Sequence, residues 1–175
     1  MPGFEVIDEQ ERQAVDRIFT HGNGILFAHG FDALREKFYV REFEQSFAKK
    51  IGVSYALAVS SGSAALVVAL KALGIQPGDE VITQSFTFVA TVEAILMLGA
   101  TPVITEVDDT YNMDPKDLAT KISPKTKAII PVHMAGVPAR MEEICQIASE
   151  FDVFVLEDSA QGIGATVDGK MCGTI

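Results

Sequence analysis

The chain has 175 residues, 48% hydrophobic and 22% charged, a profile that suits one globular domain with a sizeable core. The 24 acidic residues against 14 basic ones give a net charge of −10, which repels polyanions and argues against nucleic acid as a partner. No apolar run reaches the roughly 18 residues of a membrane helix, the N-terminus lacks a signal-peptide pattern, and two lone cysteines, Cys145 and Cys172, suit a reducing, cytoplasmic compartment.

Residues 8–20 place Ala14, Val15, Ile18 and Phe19 at helical spacing, with Asp8 as N-cap and Glu11 three positions on. Residues 21–38 mix glycines, aromatics and charges without a period and read as an extended arm or loop. Residues 40–51 are helical again and end well at Gly52. A regular rhythm follows: strand 55–60, helix 63–73, strand 80–83, helix 87–98, strand 102–107, helix 114–122 (N-cap Asp114, Pro115 at the first position), strand 127–131, helix 140–151, strand 153–157. This alternation predicts an α/β fold of three layers, αβα, with a mostly parallel sheet and right-handed crossovers. Residues 165–175 read as a hairpin cut before it finishes, which leaves a sheet edge unpaired. The expectation is a fragment of a longer protein: residues 1–39 a helix and arm, residues 40–175 an incomplete large domain.

Two segments carry ligand-type chemistry. Asp158 ends the strand Val153-Phe154-Val155-Leu156-Glu157, at the carboxyl edge where open α/β sheets bind ligands. A carboxylate in a dry site needs a cationic partner, and none lies nearby in sequence. Upstream, Ser61-Gly62-Ser63-Ala64 joins a strand to a helix, so the first N–H groups of that helix and two hydroxyls are available to an anion, with Gly62 allowing a sharp turn and close approach. Alone, each feature also reads as an ordinary cap. Together they suit a ligand with a protonated ring nitrogen at one end and a phosphate at the other, such as pyridoxal 5′-phosphate. In the loop Gln84-Ser85-Phe86-Thr87-Phe88, an aromatic ring can stack on a flat cofactor, and Phe86 is read as core. Gly162-Ile163-Gly164 lacks the third glycine and the following helix of a dinucleotide loop. His21, His29 and His133 have no metal-ligand spacing; His133 reads as a cleft-lining or a core residue.

In order and spacing, Ser61-Gly62-Ser63-Ala64-Ala65-Leu66, Pro77-Gly78-Asp79-Glu80-Val81-Ile82, Thr87-Phe88-Val89-Ala90-Thr91, Gly99-Ala100-Thr101-Pro102-Val103, Thr126-Lys127-Ala128-Ile129-Ile130-Pro131-Val132-His133 and Glu157-Asp158-Ser159-Ala160-Gln161 resemble the DegT/DnrJ/EryC1/StrS sugar aminotransferase family, of the aspartate aminotransferase fold. Met1-Pro2-Gly3-Phe4-Glu5 and Phe31-Asp32 resemble a narrower subgroup, the transaminases that make 8-amino-3,8-dideoxy-manno-octulosonate. The resemblance implies pyridoxal phosphate as cofactor, a keto-sugar or nucleotide-sugar substrate, an amino-acid donor (glutamate) and a homodimer. It implies that Asp158 pairs with the pyridine nitrogen and keeps the ring an electron sink, Phe88 stacks on the ring, Gln161 reaches its phenolic oxygen, and Gly62 and Ser63 hold the phosphate with Ser61 alongside. The family's Schiff-base lysine lies beyond the hairpin. None of the chain's lysines, Lys170 included, occupies that motif, so this chain is expected to be inactive alone. Two rival readings stay open: a dehydratase of the same family, with histidine in place of that lysine, and a non-catalytic nucleotide-binding domain.

Overall fold

The computed structural model describes residues 4–21 and 38–175. The expected arm lies almost wholly outside them, as do Phe31 and Asp32. Helix α1 (Glu9–His21) begins with a capping box: Asp8 Oδ1 accepts the Gln10 N–H at 2.8 Å, and the Asp8 N–H donates to Glu11 Oε2 at 2.8 Å. Helix α2 (Tyr39–Ile51) stops at Gly52, whose φ of 83° is left-handed.

Strands β1 (Glu80–Gln84), β2 (Thr101–Thr105), β3 (Thr126–Ile130) and β4 (Phe154–Val155) form one sheet in the order β2-β1-β3-β4, and every neighbouring pair is parallel. Helices α3 (Gly62–Ala72), α4 (Val89–Met97), α5 (Pro115–Lys121) and α6 (Met141–Phe151) cover it. Successive strand residues point to opposite faces, and along the central strands β1 and β3 both faces are buried. Val81, Ala128 and Ile130 meet Leu66, Leu70 and Ile95 of α3 and α4; Ile82 and Ile129 meet Leu118, Met141 and Ile144 of α5 and α6. This is the expected three-layer αβα arrangement.

Three expected elements differ from what forms. Residues 55–60 make no strand: they have no ladder partner among the described residues, Tyr55 is 90% exposed, and the Ala58 N–H donates to Glu44 Oε1 instead. The strand expected at 153–157 shortens to β4. Beyond it, Leu156 N–H donates to Ile129 O and Asp158 N–H to Pro131 O, each at 2.9 Å, but Pro131 has no N–H to return, so only an isolated Val132–Asp158 bridge remains. Helix α4 starts at Val89 rather than residue 87, which puts Phe88 at its N-cap in extended conformation. The terminal hairpin does form: β5 (Thr166–Val167) and β6 (Lys170–Met171) are antiparallel, and Asp168 (φ 48°) and Gly169 (φ 79°) supply the primed turn that matches strand twist.

At the carboxyl edge of the sheet, buried polar side chains tie the loops together. The Gln84 amide, fully buried at the end of β1, makes four hydrogen bonds: Nε2 donates to Phe86 O (2.9 Å) and Tyr111 O (3.3 Å), and Oε1 accepts from Met113 N–H (3.2 Å) and Val132 N–H (3.0 Å). Asn112 Oδ1 accepts from Met134 N–H (2.9 Å), while its amide nitrogen donates to Val137 O (3.2 Å). Behind this edge the backbone at Gly162 passes so close to His133 that an added Cβ would stand 2.8 Å from His133 Cβ. Gly162→Ala is therefore expected to destabilise the chain by roughly 1–3 kcal/mol, the usual cost of overpacking. Urea denaturation of the wild type and this variant measures the difference.

Candidate functional site

Asp158 stands where the sheet ends, and it is buried. Its Oδ2 accepts the Thr91 hydroxyl at 2.9 Å, and its Oδ1 accepts the Ala160 N–H at 3.2 Å. Its own backbone is fixed by Pro131 O and by the His133 N–H. Among the described residues no lysine, arginine or histidine forms an ion pair with it. A buried carboxylate with no protein cation is the donor set expected to meet a cationic ligand.

Asp158 and Gly62 line one cavity of about 350 Å³. Gly62 is the first residue of α3, after Ser61, whose Oγ accepts the Ala64 N–H at 3.1 Å as the N-cap. That bond leaves the Ser61 hydroxyl proton free to donate. Gly62 is not held in a left-handed conformation, and a Cβ built on it meets nothing within 4 Å. The sharp turn expected there is thus not what calls for glycine. Open space beside a helix start suits the close approach of an anionic group. Ser159 Oγ, in a residue lining the same cavity, is buried with no hydrogen-bond partner. The donors and acceptors present therefore fit a flat ligand that is cationic at one end and anionic at the other.

Phe88 is 67% exposed at the carboxyl edge of β1, free of the core and available to stack. Phe86, read from sequence as core, is instead half-exposed. Its ring leans on Tyr111 at 5.8 Å, because the Gln84 amide draws the backbone of both residues together. Gln161 Oε1 accepts the Ala135 N–H at 2.9 Å. With its oxygen so fixed, the amide's Nε2 is left as donor, its one protein contact being the weak acceptor Met134 Sδ at 3.8 Å. The turn holding Ala135 is left-handed at two successive residues, Ala135 (φ 52°) and Gly136 (φ 82°), a conformation costly for alanine and one that clusters at ligand sites.

His133 belongs to the core. It is fully buried; Nδ1 accepts the Ala139 N–H at 3.0 Å, so the proton sits on Nε2, which donates to Glu157 Oε2 at 3.0 Å. Sequence reasoning missed Glu157, Thr91 and Thr87. Only the adjacency of Glu157 to Asp158 and the spacing of the two threonines hinted at them. Glu157 also accepts the Gly173 N–H (2.8 Å) and the Ile175 N–H (2.7 Å), clamping the hairpin beside Asp158. Burial raises the Glu157 pKa, but the hydrogen bonds from His133, Gly173 and Ile175 outweigh it and hold the carboxyl below its ordinary value. Burial first, and then the Glu157 charge, push both thiols, Cys145 and Cys172, above the ordinary range, which makes neither a ready nucleophile.

Residues 10–175 match the model of the DegT/DnrJ/EryC1/StrS aminotransferase family. The chain is 40% identical to the UDP-2-acetamido-2-deoxy-3-oxo-D-glucuronate aminotransferase of Pseudomonas aeruginosa, over 95% of its own length and 46% of the relative's. An aminotransferase structure from Psychrobacter cryohalolentis superposes with a TM-score of 0.85 at 38% identity, covering 97% of this chain and 40% of that one. The structure of E. coli GDP-4-keto-6-deoxy-D-mannose-3-dehydratase with bound hydrated PLP gives a TM-score of 0.80 at 30% identity, covering 97% and 43%. The chain thus spans less than half the length of each of these proteins.

The depressed Glu157 pKa fixes the sign of a pH effect. A carboxyl whose folded value is lowered stabilises the fold above its unfolded value, and that stability is lost as pH falls through the folded value. Glu157→Gln is expected to be less stable than the wild type at pH 7, with the gap closing as pH drops below the ordinary glutamate value of 4.5. Urea unfolding of both chains at several pH values checks this.

Proposed function

The chain belongs to the DegT/DnrJ/EryC1/StrS aminotransferase family, and we propose that the whole protein carrying it is a pyridoxal-phosphate-dependent enzyme that moves an amino group from glutamate onto a keto-sugar or nucleotide keto-sugar. The observation that carries this reading is the buried Asp158 carboxylate, with no ion-pair partner among the described residues, in a residue that lines one cavity with the open helix start at Gly62. The aminotransferase of a keto-sugar among its relatives supports the substrate class, and a keto-octulosonate falls within it. When bound, the cofactor supplies an electron-withdrawing ring that stabilises negative charge on the substrate carbon.

The chain's own residues do the rest. Asp158 accepts the hydrogen bond of the ring nitrogen and keeps the proton there. Phe88 covers a face of the ring and excludes water from it. The N–H groups of Gly62 and Ser63, with the Ser61 and Ser63 hydroxyls, bind the phosphate at the positive end of α3. Gln161 Nε2 donates to the phenolic oxygen.

Among the described residues no lysine lines the cavity shared by Gly62 and Asp158. We assign the proton-shuttling lysine to a part of the protein outside these 175 residues, along with a smaller second domain and the completion of the domain built by residues 40–175. The proposal places the enzyme in the cytoplasm, where two free cysteines suit a reducing compartment, and pairing of two subunits completes it. A second reading, a dehydratase of the same family, draws on the likeness to the E. coli dehydratase. The residue at the lysine position decides between them.

Adduct formation and two variants test the proposal. Incubated with pyridoxal phosphate and reduced with borohydride, the 175-residue chain is expected to gain no site-specific adduct, and the complete gene product to gain one on a lysine outside it. A stoichiometric adduct on any lysine of this chain contradicts the assignment. In the complete protein, Asp158→Ala is expected to lower turnover about 100-fold or more, as loss of a preorganised charge partner does. Gly62→Ala is expected to keep its stability within about 0.5 kcal/mol and to weaken cofactor binding, read by equilibrium titration.

A further inference from the structure

We propose that Thr91, backed by Thr87, is a positioning residue that sets the Asp158 carboxylate for its ligand; this rests on the reading of Asp158 as partner of the cofactor's ring nitrogen. Thr91 lies in the first turn of α4 and is 1% exposed. A threonine inside a helix commonly turns its hydroxyl back to a carbonyl of the preceding turn. Thr91 instead donates to Asp158 Oδ2 at 2.9 Å, across 67 residues of sequence. Thr87 Oγ1 lies 2.9 Å from Thr91 Oγ1. A hydroxyl has one proton; that of Thr91 goes to the carboxylate, so Thr91 can only accept from Thr87, whose proton takes this 2.9 Å contact over the longer 3.4 Å one to Phe88 O. The protons of both hydroxyls therefore point one way, toward the negative charge, and each bond polarises the next.

The geometry has two consequences for a flat ligand. Thr91 holds one carboxylate oxygen while the Ala160 N–H holds the other at 3.2 Å, which stops the carboxylate rotating and leaves a lone pair on each oxygen for the ligand. Phe88 sits between the two threonines in the same stretch of chain. One short segment thus places the ring that would cover the ligand's face and the hydroxyl that orients the group at its edge. Mutual orientation of this kind is what a site on rigid elements supplies to binding.

The test uses the complete gene product and three variants: Thr91→Val, which keeps the shape and removes the hydroxyl, Thr91→Ser, which keeps the hydroxyl, and Thr87→Ala, which removes only the outer one. The readouts are the dissociation constant for pyridoxal phosphate, the pH dependence of the bound cofactor's absorbance, and the urea midpoint. Thr91→Val is expected to weaken binding about tenfold, the scale of a lost hydrogen bond to a charged group, and to shift the absorbance profile. Thr91→Ser is expected to restore both. Thr87→Ala is expected to weaken binding about threefold through the shared chain. A Thr91→Val protein with a lower urea midpoint but wild-type binding and absorbance profile overturns the proposal, since its hydroxyl then serves the fold alone. Where Thr91→Val does not fold, wild-type values for Thr87→Ala overturn it. Failure of the wild type to bind pyridoxal phosphate at all removes the cofactor reading itself, and the positioning role with it.

Discussion

The primary amide of Gln84 is the constraint on which the carboxyl edge of the sheet depends. It has two donors and two accepting lone pairs, and all four are used on the backbone of three different segments. Were it replaced by an apolar side chain, Met113 and Val132 would each bury an N–H without a partner, at about 1–3 kcal/mol apiece. Because the amide is saturated, the loops after β1, β2 and β3 hold fixed positions relative to one another. Phe88, Tyr111 and His133 all leave those loops. The candidate site is thus assembled by a side chain that does not line its cavity, and its precision comes from polar satisfaction in a dry place.

A second layer of the same device surrounds it. Asn112 holds the segment at Met134, His133 takes the Ala139 N–H on one nitrogen and gives its proton to Glu157 on the other, and Glu157 takes two amides of the hairpin end. Each of these buried groups answers another, as polar groups do where water is excluded. Asp158 differs: it has neutral hydrogen-bond donors but, among the described residues, no cation, and it lines a cavity. Contrast between a satisfied surround and one uncompensated charge is what marks Asp158 as a candidate ligand partner rather than a core residue.

Much of this was readable before any coordinates, for physical reasons that differ by element. Helix ends are local events, so Asp8, Gly52 and the Asp114-Pro115 pair marked theirs correctly. The strands β1 and β3 each carry a short apolar stretch, Val81-Ile82 and Ala128-Ile129-Ile130, set between helical segments, and that alternation is a local signal of a covered parallel sheet. Strand pairing is not local. Residues 55–60 have the composition of a strand and no partner, and Pro131 interrupts a ladder that the residues of β4 alone could not reveal. The cavity shared by Asp158 and Gly62 was legible only from the two together, since each alone reads as an ordinary cap. Thr91 was not, since a threonine beginning a helix has many ordinary uses and its partner lies far along the chain. Phe86 was misassigned to the core because spacing alone does not tell that Gln84 holds its backbone toward Tyr111.

The stretch around Tyr55 and Leu57 has a practical corollary. Their side chains are 90% and 73% exposed, Phe43 and Ile163 lie in the same groove, and the backbone there has no ladder to join among the described residues. Such a surface invites a strand from another molecule. Copies of this chain share a charge of −10 and repel one another at long range, and that repulsion fades within about 10 Å at 0.1 M salt. Dilute, low-salt, mildly alkaline buffers therefore favour its colloidal stability, whereas salting the solution or acidifying it toward the isoelectric point near 4.7 brings sticky edges within reach of one another.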